Sequence, residues 1–188
     1  MKPVKLLLII GPTAVGKSAM IERALRDHPT LTDIITYTTR AMREGEFQGN
    51  PYHFVSAERF SELEAQGFFL ETASVHGRKY GTPMDQVAKA RQDGSCLIAD
   101  VDVQGAKKIL AQIPEAVTVF LMPPSRETLR ERFAKRGVVD PVELEKRLKS
   151  ADVEMAQARD FHHLIINDDM DEAYARLKAI IDKHLINA

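Results

Sequence analysis

The chain has 188 residues, enough for one core with an appendage but short for two full domains. Its 44% hydrophobic and 28% charged fractions belong to an ordinary globule and exclude a disordered or fibrous protein. A net charge of −1 gives no global basic field for nucleic acid, so any anion site must be local, and no apolar run is long enough for a membrane span or signal segment.

In chain order, VKLLLII at 4–10 is a continuous apolar run stopped by Gly11, the pattern of a buried parallel strand. Met20, Ile21, Ala24 and Leu25 then recur at helical spacing over 17–26, and Pro29 ends the helix. Residues 33–39 read as a short β-branched strand. The stretch 44–54, rich in Gly, Asn and Pro, reads as an irregular or antiparallel excursion. Ser56 caps a helix carrying Phe60 and Leu63. FFLETASV and HGRKYGT form a strand and hairpin with Gly77 and Gly81 as turn residues, and a helix follows from Met84 to Arg91. SCLIADVDVQG is a second buried strand with Asp100 and Asp102 at its end, and 117–122 a third. Residues 125–157 are helical and arginine-rich with a break at Pro141, and a strand at 163–167 and a helix at 169–185 close the chain. Such alternation means α/β with a largely parallel sheet flanked by helices, in which the polar stretches at 36–90 and 125–157 are insertions into one domain. Cys96, the only cysteine, lies in an apolar run and reads as a buried structural thiol. With no intramolecular disulfide available, a reducing, cytoplasmic setting is expected.

The strongest motif is Gly11, Pro12, Thr13, Ala14, Val15, Gly16, Lys17, Ser18, a complete G-x-x-x-x-G-K-[ST] between a strand and a helix. Its glycines let backbone N–H groups curl around phosphate, and the helix start adds its positive dipole end. Lys17 supplies charge to the β- and γ-phosphates of a nucleoside triphosphate, and Ser18 a hydroxyl ligand for Mg²⁺. A P-loop NTPase-type fold follows. A GTPase reading gains one point from Asp102-Val-Gln-Gly105, which fits D-x-x-G, but no N-K-x-D motif is present. A kinase for a small acceptor needs a second anion site, and ITYTTRAMR offers one. Thr36, Arg40 and Arg43 can clamp a phosphate, although the arginine pair alone fits an exposed turn equally well.

GPTAVGKS, TYTTRAMREGEFQGNPYHFV, FFLETASVHGRKYGT, ADVDVQG, KRG and LIINDD occur in the order and spacing of the guanylate kinase family, which the chain resembles from residue 4 to about 182. The resemblance implies a core at about 1–35, 91–124 and 158–188, a GMP-binding insertion at 36–90 and a lid at 125–157. It implies that GMP and ATP are the substrates, and that Thr36, Arg40, Arg43, Tyr52 and Tyr80 hold the GMP phosphate. Glu71, Thr82 and Asp102 fall where the base is read, and Asp100 where Mg²⁺ is oriented. Arg132, Arg136 and Arg147 fall on the lid arginines that act with Lys17 and Arg40 in catalysis, and Asn167 beside the adenine. Chemistry supports the base assignment: guanine presents N1–H and NH₂ donors, for which a carboxylate is an acceptor-only partner. Tyr52 and Tyr80 also suit simple packing. Prolines usual in the family are replaced by Ala41 and Met42, a glycine by Ala14, a threonine by Ala19, an aromatic residue by Lys79 and a lid glycine by Lys135. The alternative is an inactive guanylate kinase-like module that binds acidic or phosphorylated peptides. Such modules typically have eroded P-loops, whereas this loop is complete. No metal-binding role is assigned to the histidines, and the oligomeric state is left open.

Overall fold

The computed structural model describes residues 3–75 and 77–187. Strand β1 (Lys5–Ile10) leads through the glycine loop into helix α1 (Lys17–Asp27), then β2 (Leu31–Asp33). The excursion that follows holds β3 (Tyr37–Thr38), β4 (His53–Phe54), α2 (Ala57–Ala65), β5 (Phe69–Val75), β6 (Arg78–Pro83) and α3 (Met84–Asp93). The chain returns through β7 (Cys96–Asp100), α4 (Val103–Gln112) and β8 (Val117–Met122), crosses two helices, α5 (Arg126–Lys135) and α6 (Pro141–Met155), and ends with β9 (His163–Ile166) and α7 (Met170–Ile181). A short π-helical turn at Asp182–Ile186 follows α7. Among the described residues no helix is long and apolar enough to cross a membrane.

The main sheet is wholly parallel, in the order β2-β7-β1-β8-β9. Successive residues of β1 serve opposite faces. Leu6, Leu8 and Ile10 pack with Val87, Ala106 and Ile109 of α3 and α4, while Leu7 and Ile9 pack with Met20, Ala24, Leu177 and Ile181 of α1 and α7. Both faces are dry, which is why LLLII is unbroken rather than alternating. Each such side chain contributes roughly 1.5–3 kcal/mol by its burial. Free Cys96 is buried on the second of these faces, its thiol 3.3 Å from the Leu185 carbonyl.

Local chemistry accounts for most boundaries. Ser56, Ser125, Asp140 and Asp169 cap α2, α5, α6 and α7 by accepting backbone N–H groups. Pro141 starts α6 at its first turn, where no N–H is needed, rather than interrupting a longer helix.

Two expectations change. The run 33–39 is two strands in two sheets. Ile34 N–H makes the last bond to the main sheet, on the Ile98 carbonyl, and the Gln86 amide then bonds both backbone groups of Ile35 while the chain crosses over. The excursion at 44–54 is irregular and holds an antiparallel bridge between Phe47 and Asn50, as expected, and its end, β4, pairs in parallel with β3. Gly81 lies inside β6, where a Cβ would stand 2.7 Å from the Phe69 ring; it is required by close packing, not by a turn. His76, in the HGRKYGT stretch, lies outside the described residues. The second sheet, β4-β3-β6-β5, packs Phe69 on Phe60 and Leu63 of α2.

Candidate active site

A cleft of about 920 Å³ opens at the carboxyl ends of β1, β2 and β7, where parallel α/β sheets place ligands. The glycine loop forms one wall and the second sheet the other. In the loop, Gly11 has φ 143 and a Cβ there would collide with the Leu121 carbonyl. Gly16 has φ 110 and a Cβ would stand 2.5 Å from Asn167 Nδ2. Ala14 has φ 69, the one positive value outside glycine among the described residues. Such strain costs about 1–2 kcal/mol. The Ala14 methyl packs against Leu129, Phe133, Leu148 and Ala151, which returns about 0.8 kcal/mol and ties the loop to α5 and α6.

Lys17 opens α1, and its Nζ donates to the carbonyls of Gly11 (2.6 Å) and Pro12 (3.3 Å), 3.7 Å from Asp100 Oδ1. Thr13 and Ser18 line the cleft, whereas Pro12 and Val15 are buried in the loop. Turning N–H groups inward leaves the Val15 carbonyl facing the protein, and a buried acceptor needs donors. Asn167 Nδ2 (2.8 Å) and Arg132 Nη1 (3.1 Å) supply them, and Arg132 Nη2 also bonds the Asn167 carbonyl at 2.9 Å. Asn167 is 1% exposed, and neither residue is on the cleft lining. The structure thus puts both of them under the loop.

On the facing wall Thr36, Glu71 and Thr82 are buried and line the cleft. Pairing of β5 with β6 sets Glu71 opposite Thr82, whose Oγ1 donates to Glu71 Oε1 at 2.8 Å. Glu71 Oε2 is buried with no hydrogen-bond partner, and desolvation holds this carboxyl above its usual range. Arg40 Nη1 bonds the Ala41 carbonyl and Nη2 bonds Glu46, both at 2.8 Å, with the guanidinium 5.3 Å from the ring centres of Tyr52 and Phe54. Tyr52 meets Tyr80 edge to face at 5.8 Å, so these tyrosines both pack and line the cleft; burial pushes the Tyr52 phenol up. Arg43 is exposed on the same wall.

Strand β7 ends at Asp100, so Asp100 and Asp102 do not share a strand face. Asp102 is the N-cap of α4, accepting from Gly105 N–H at 2.7 Å, which explains Asp102-Val-Gln-Gly105 as a helix start. Both aspartates line the cleft, and burial raises the Asp100 carboxyl even beside Lys17. From the helical side come Arg136 and Arg147, the latter bonded to Glu143 at 2.7 Å.

Four lining acids carry no role assigned by motif: Glu22, Asp33, Glu46 and Glu154. Asp33 ends the short strand β2 as Asp100 ends β7, whereas Glu22 and Glu154 sit in helices and Glu46 in a loop. Burial, then repulsion from Asp100, pushes the Asp33 carboxyl up to about 7. A raised folded value means stability is full below the unfolded pKa, about 3.9, and is lost as pH rises through the folded one. Asp33→Asn is therefore expected to melt above wild type by a margin that grows from pH 5 to pH 8, read by thermal scans. A constant margin would contradict the buried charge.

A family model described as guanylate kinase matches residues 3–184. Guanylate kinases of Corynebacterium efficiens and Corynebacterium glutamicum are 41% and 42% identical over 179 and 180 residues, covering 94% and 95% of this chain and 94% and 93% of theirs. The crystal structure of guanylate kinase from Anaplasma phagocytophilum aligns with a TM-score of 0.80 at 30% identity, over 98% of this chain and 88% of that one. A parallel P-loop core and this likeness along nearly the whole chain lead to one assignment: the chain belongs to the guanylate kinase family.

Proposed function

We propose that the cleft transfers the γ-phosphoryl of ATP to the phosphate of GMP, giving ADP and GDP. The supporting observation is that a single cleft is lined by both the phosphate loop and the wall bearing Arg40, Arg43 and Glu71. Loop N–H groups and Lys17 hold the β- and γ-phosphates of ATP. Arg40 and Arg43, with the hydroxyls of Thr36, Tyr52 and Tyr80, hold the acceptor phosphate in line. Glu71 Oε2 accepts from guanine N1–H and NH₂, while Thr82 keeps the other carboxylate oxygen occupied. Asp102 stands beside the base, with one oxygen already committed to its helix cap.

During transfer a γ-phosphorus–oxygen bond to ADP breaks as a bond to a GMP phosphate oxygen forms. That oxygen is already ionised near neutral pH, so no general base is needed. Arg136 and Arg147 offset charge on the moving group. Arg132 and Asn167 act at one remove, by fixing the Val15 carbonyl and hence the loop. Ser18 and Asp100 line the cleft with hard oxygen donors and would hold Mg²⁺ there. Held there, it would supply positive charge to offset that of the ATP phosphates. The reading as an inactive peptide-binding module finds no support, since Gly11, Gly16, Lys17 and Ser18 are all in place. A nucleotide substrate pair and one unpaired thiol accord with the cytoplasm.

A coupled ADP-release assay with each nucleoside monophosphate tests the assignment. Turnover with GMP should far exceed that with AMP, CMP or UMP; none with GMP, despite ATP binding, would sink it. A narrower test uses Gly105, where a Cβ would stand 3.0 Å from Glu71 Oε2. Gly105→Ala is expected to raise the KM for GMP several-fold without changing that for ATP. Alanine favours the helix by about 1 kcal/mol, so a parallel loss of stability would point to misfolding instead.

A further inference from the structure

Glu46 is the one acid on the acceptor wall that the reaction does not use, and it is bound to both halves of the arginine loop. Its Oε1 accepts from Arg40 Nη2 and its Oε2 from the backbone N–H of Arg43, each at 2.8 Å. A backbone bond from Glu46 N–H to the Arg43 carbonyl, 3.1 Å, closes the turn beneath them. The Arg40 and Glu46 side chains are only 13% and 17% exposed, so the pair is poorly screened and holds its geometry. Arg40 holds the carboxylate below its usual range, the direction expected of a persistent pair. Neither Ala41 nor Met42 restrains the backbone as proline would, and Met42 is 46% exposed, so packing does not hold the loop either.

We infer that Glu46 is a positioning residue for acceptor binding: one carboxylate fixes the guanidinium of Arg40 and the backbone at Arg43, so that both arginines meet the acceptor phosphate already aligned. This rests on the reading of Arg40 and Arg43 as the GMP phosphate clamp. The competing role is a placeholder, an internal anion that occupies the clamp and leaves when phosphate arrives. The Arg43 N–H bond and the closed turn favour positioning, because neither contact uses the arginine side chains. Arg40 also keeps three of its five N–H groups beyond the two bonds to Glu46 and Ala41.

The test compares wild type, Glu46→Ala, Glu46→Gln and Arg40→Met in the full chain, with steady-state KM and kcat for GMP and for ATP, calorimetric GMP binding and a melting curve. Glu46→Ala should raise the KM and Kd for GMP about tenfold, the scale of a lost charge-assisted contact. The KM for ATP should stay within about twofold, since Glu46 holds nothing on the nucleotide-loop side. Glu46→Gln, able to accept only one of the two donors, should fall between. A GMP KM that is unchanged or lower in Glu46→Ala overturns the inference, the lower value marking a placeholder. So does a parallel rise in both KM values with a fall in Tm. If Arg40→Met raises the GMP KM while the Glu46 variants do not, the inference alone fails. If Arg40→Met leaves it unchanged, the clamp assignment itself is wrong.

Discussion

Glu71→Gln is expected to raise the KM for GMP by about a hundredfold or more, leave the KM for ATP unchanged, and make the protein more stable at neutral pH. Two physical facts give the two halves of that result. Glu71 presents two acceptor oxygens, one taken by Thr82 and one unpartnered in the cleft wall. A glutamine keeps one acceptor and turns the other position into a donor. That donor faces guanine N1–H and NH₂, or else displaces the Thr82 bond; either way a buried polar pair is left unmatched. The stability half follows from desolvation, which raises the Glu71 carboxyl. With the folded value above the unfolded one, the wild type is favoured at low pH and loses stability as pH rises through the folded value. The neutral amide has no such loss, so its melting advantage should be larger at pH 7 than at pH 4. Kinetics with both substrates and melting scans at the two pH values check this. Equal effects on GMP and ATP would refute the base-reading role, and a lower Tm at pH 7 would refute the desolvation argument.

Lys17→Ala is expected to lower kcat by a factor on the order of 10²–10³, the loss typical of removing one preorganised charge from a transition state. GMP binding should survive within a few-fold, because Arg40, Arg43 and Glu71 lie on the opposite wall. Lys17 also donates to the Gly11 and Pro12 carbonyls and faces Asp100, so the fold must be monitored. Lys17→Met keeps most of the stem and separates lost charge from lost packing. Calorimetry with GMP beside the coupled assay decides the matter: a kcat drop under tenfold in both variants would remove Lys17 from catalysis.

Motifs carried the site where one residue type alone can do the job. Gly11 and Gly16 need positive φ and tolerate no Cβ, so their spacing in the chain already implies a curled loop. Arg40, Arg43, Glu71 and Thr82 were legible because they stand in long motifs. Glu46 stands in the same motif as the arginines, but a glutamate in a turn-rich stretch has no distinguishing pattern. DVDV alternates as a strand does, and the cap that Asp102 makes depends on where α4 begins. Gly81 resembled a turn residue for the same reason, as only the Phe69 ring explains it.

The sequence by itself determined the parallel core, through apolar runs that only a sheet covered on both faces can hold, and the phosphate loop, through a pattern tied to backbone geometry. It also determined which residue types could meet a phosphate and a guanine edge. The tertiary structure alone decided how partners are shared. Asn167, just past β9, and Arg132 of α5 converge on the Val15 carbonyl, and Glu46 folds back on Arg40. Buried acceptors and charges must be satisfied by whatever lies near in space, and that proximity is set by packing, not by position along the chain.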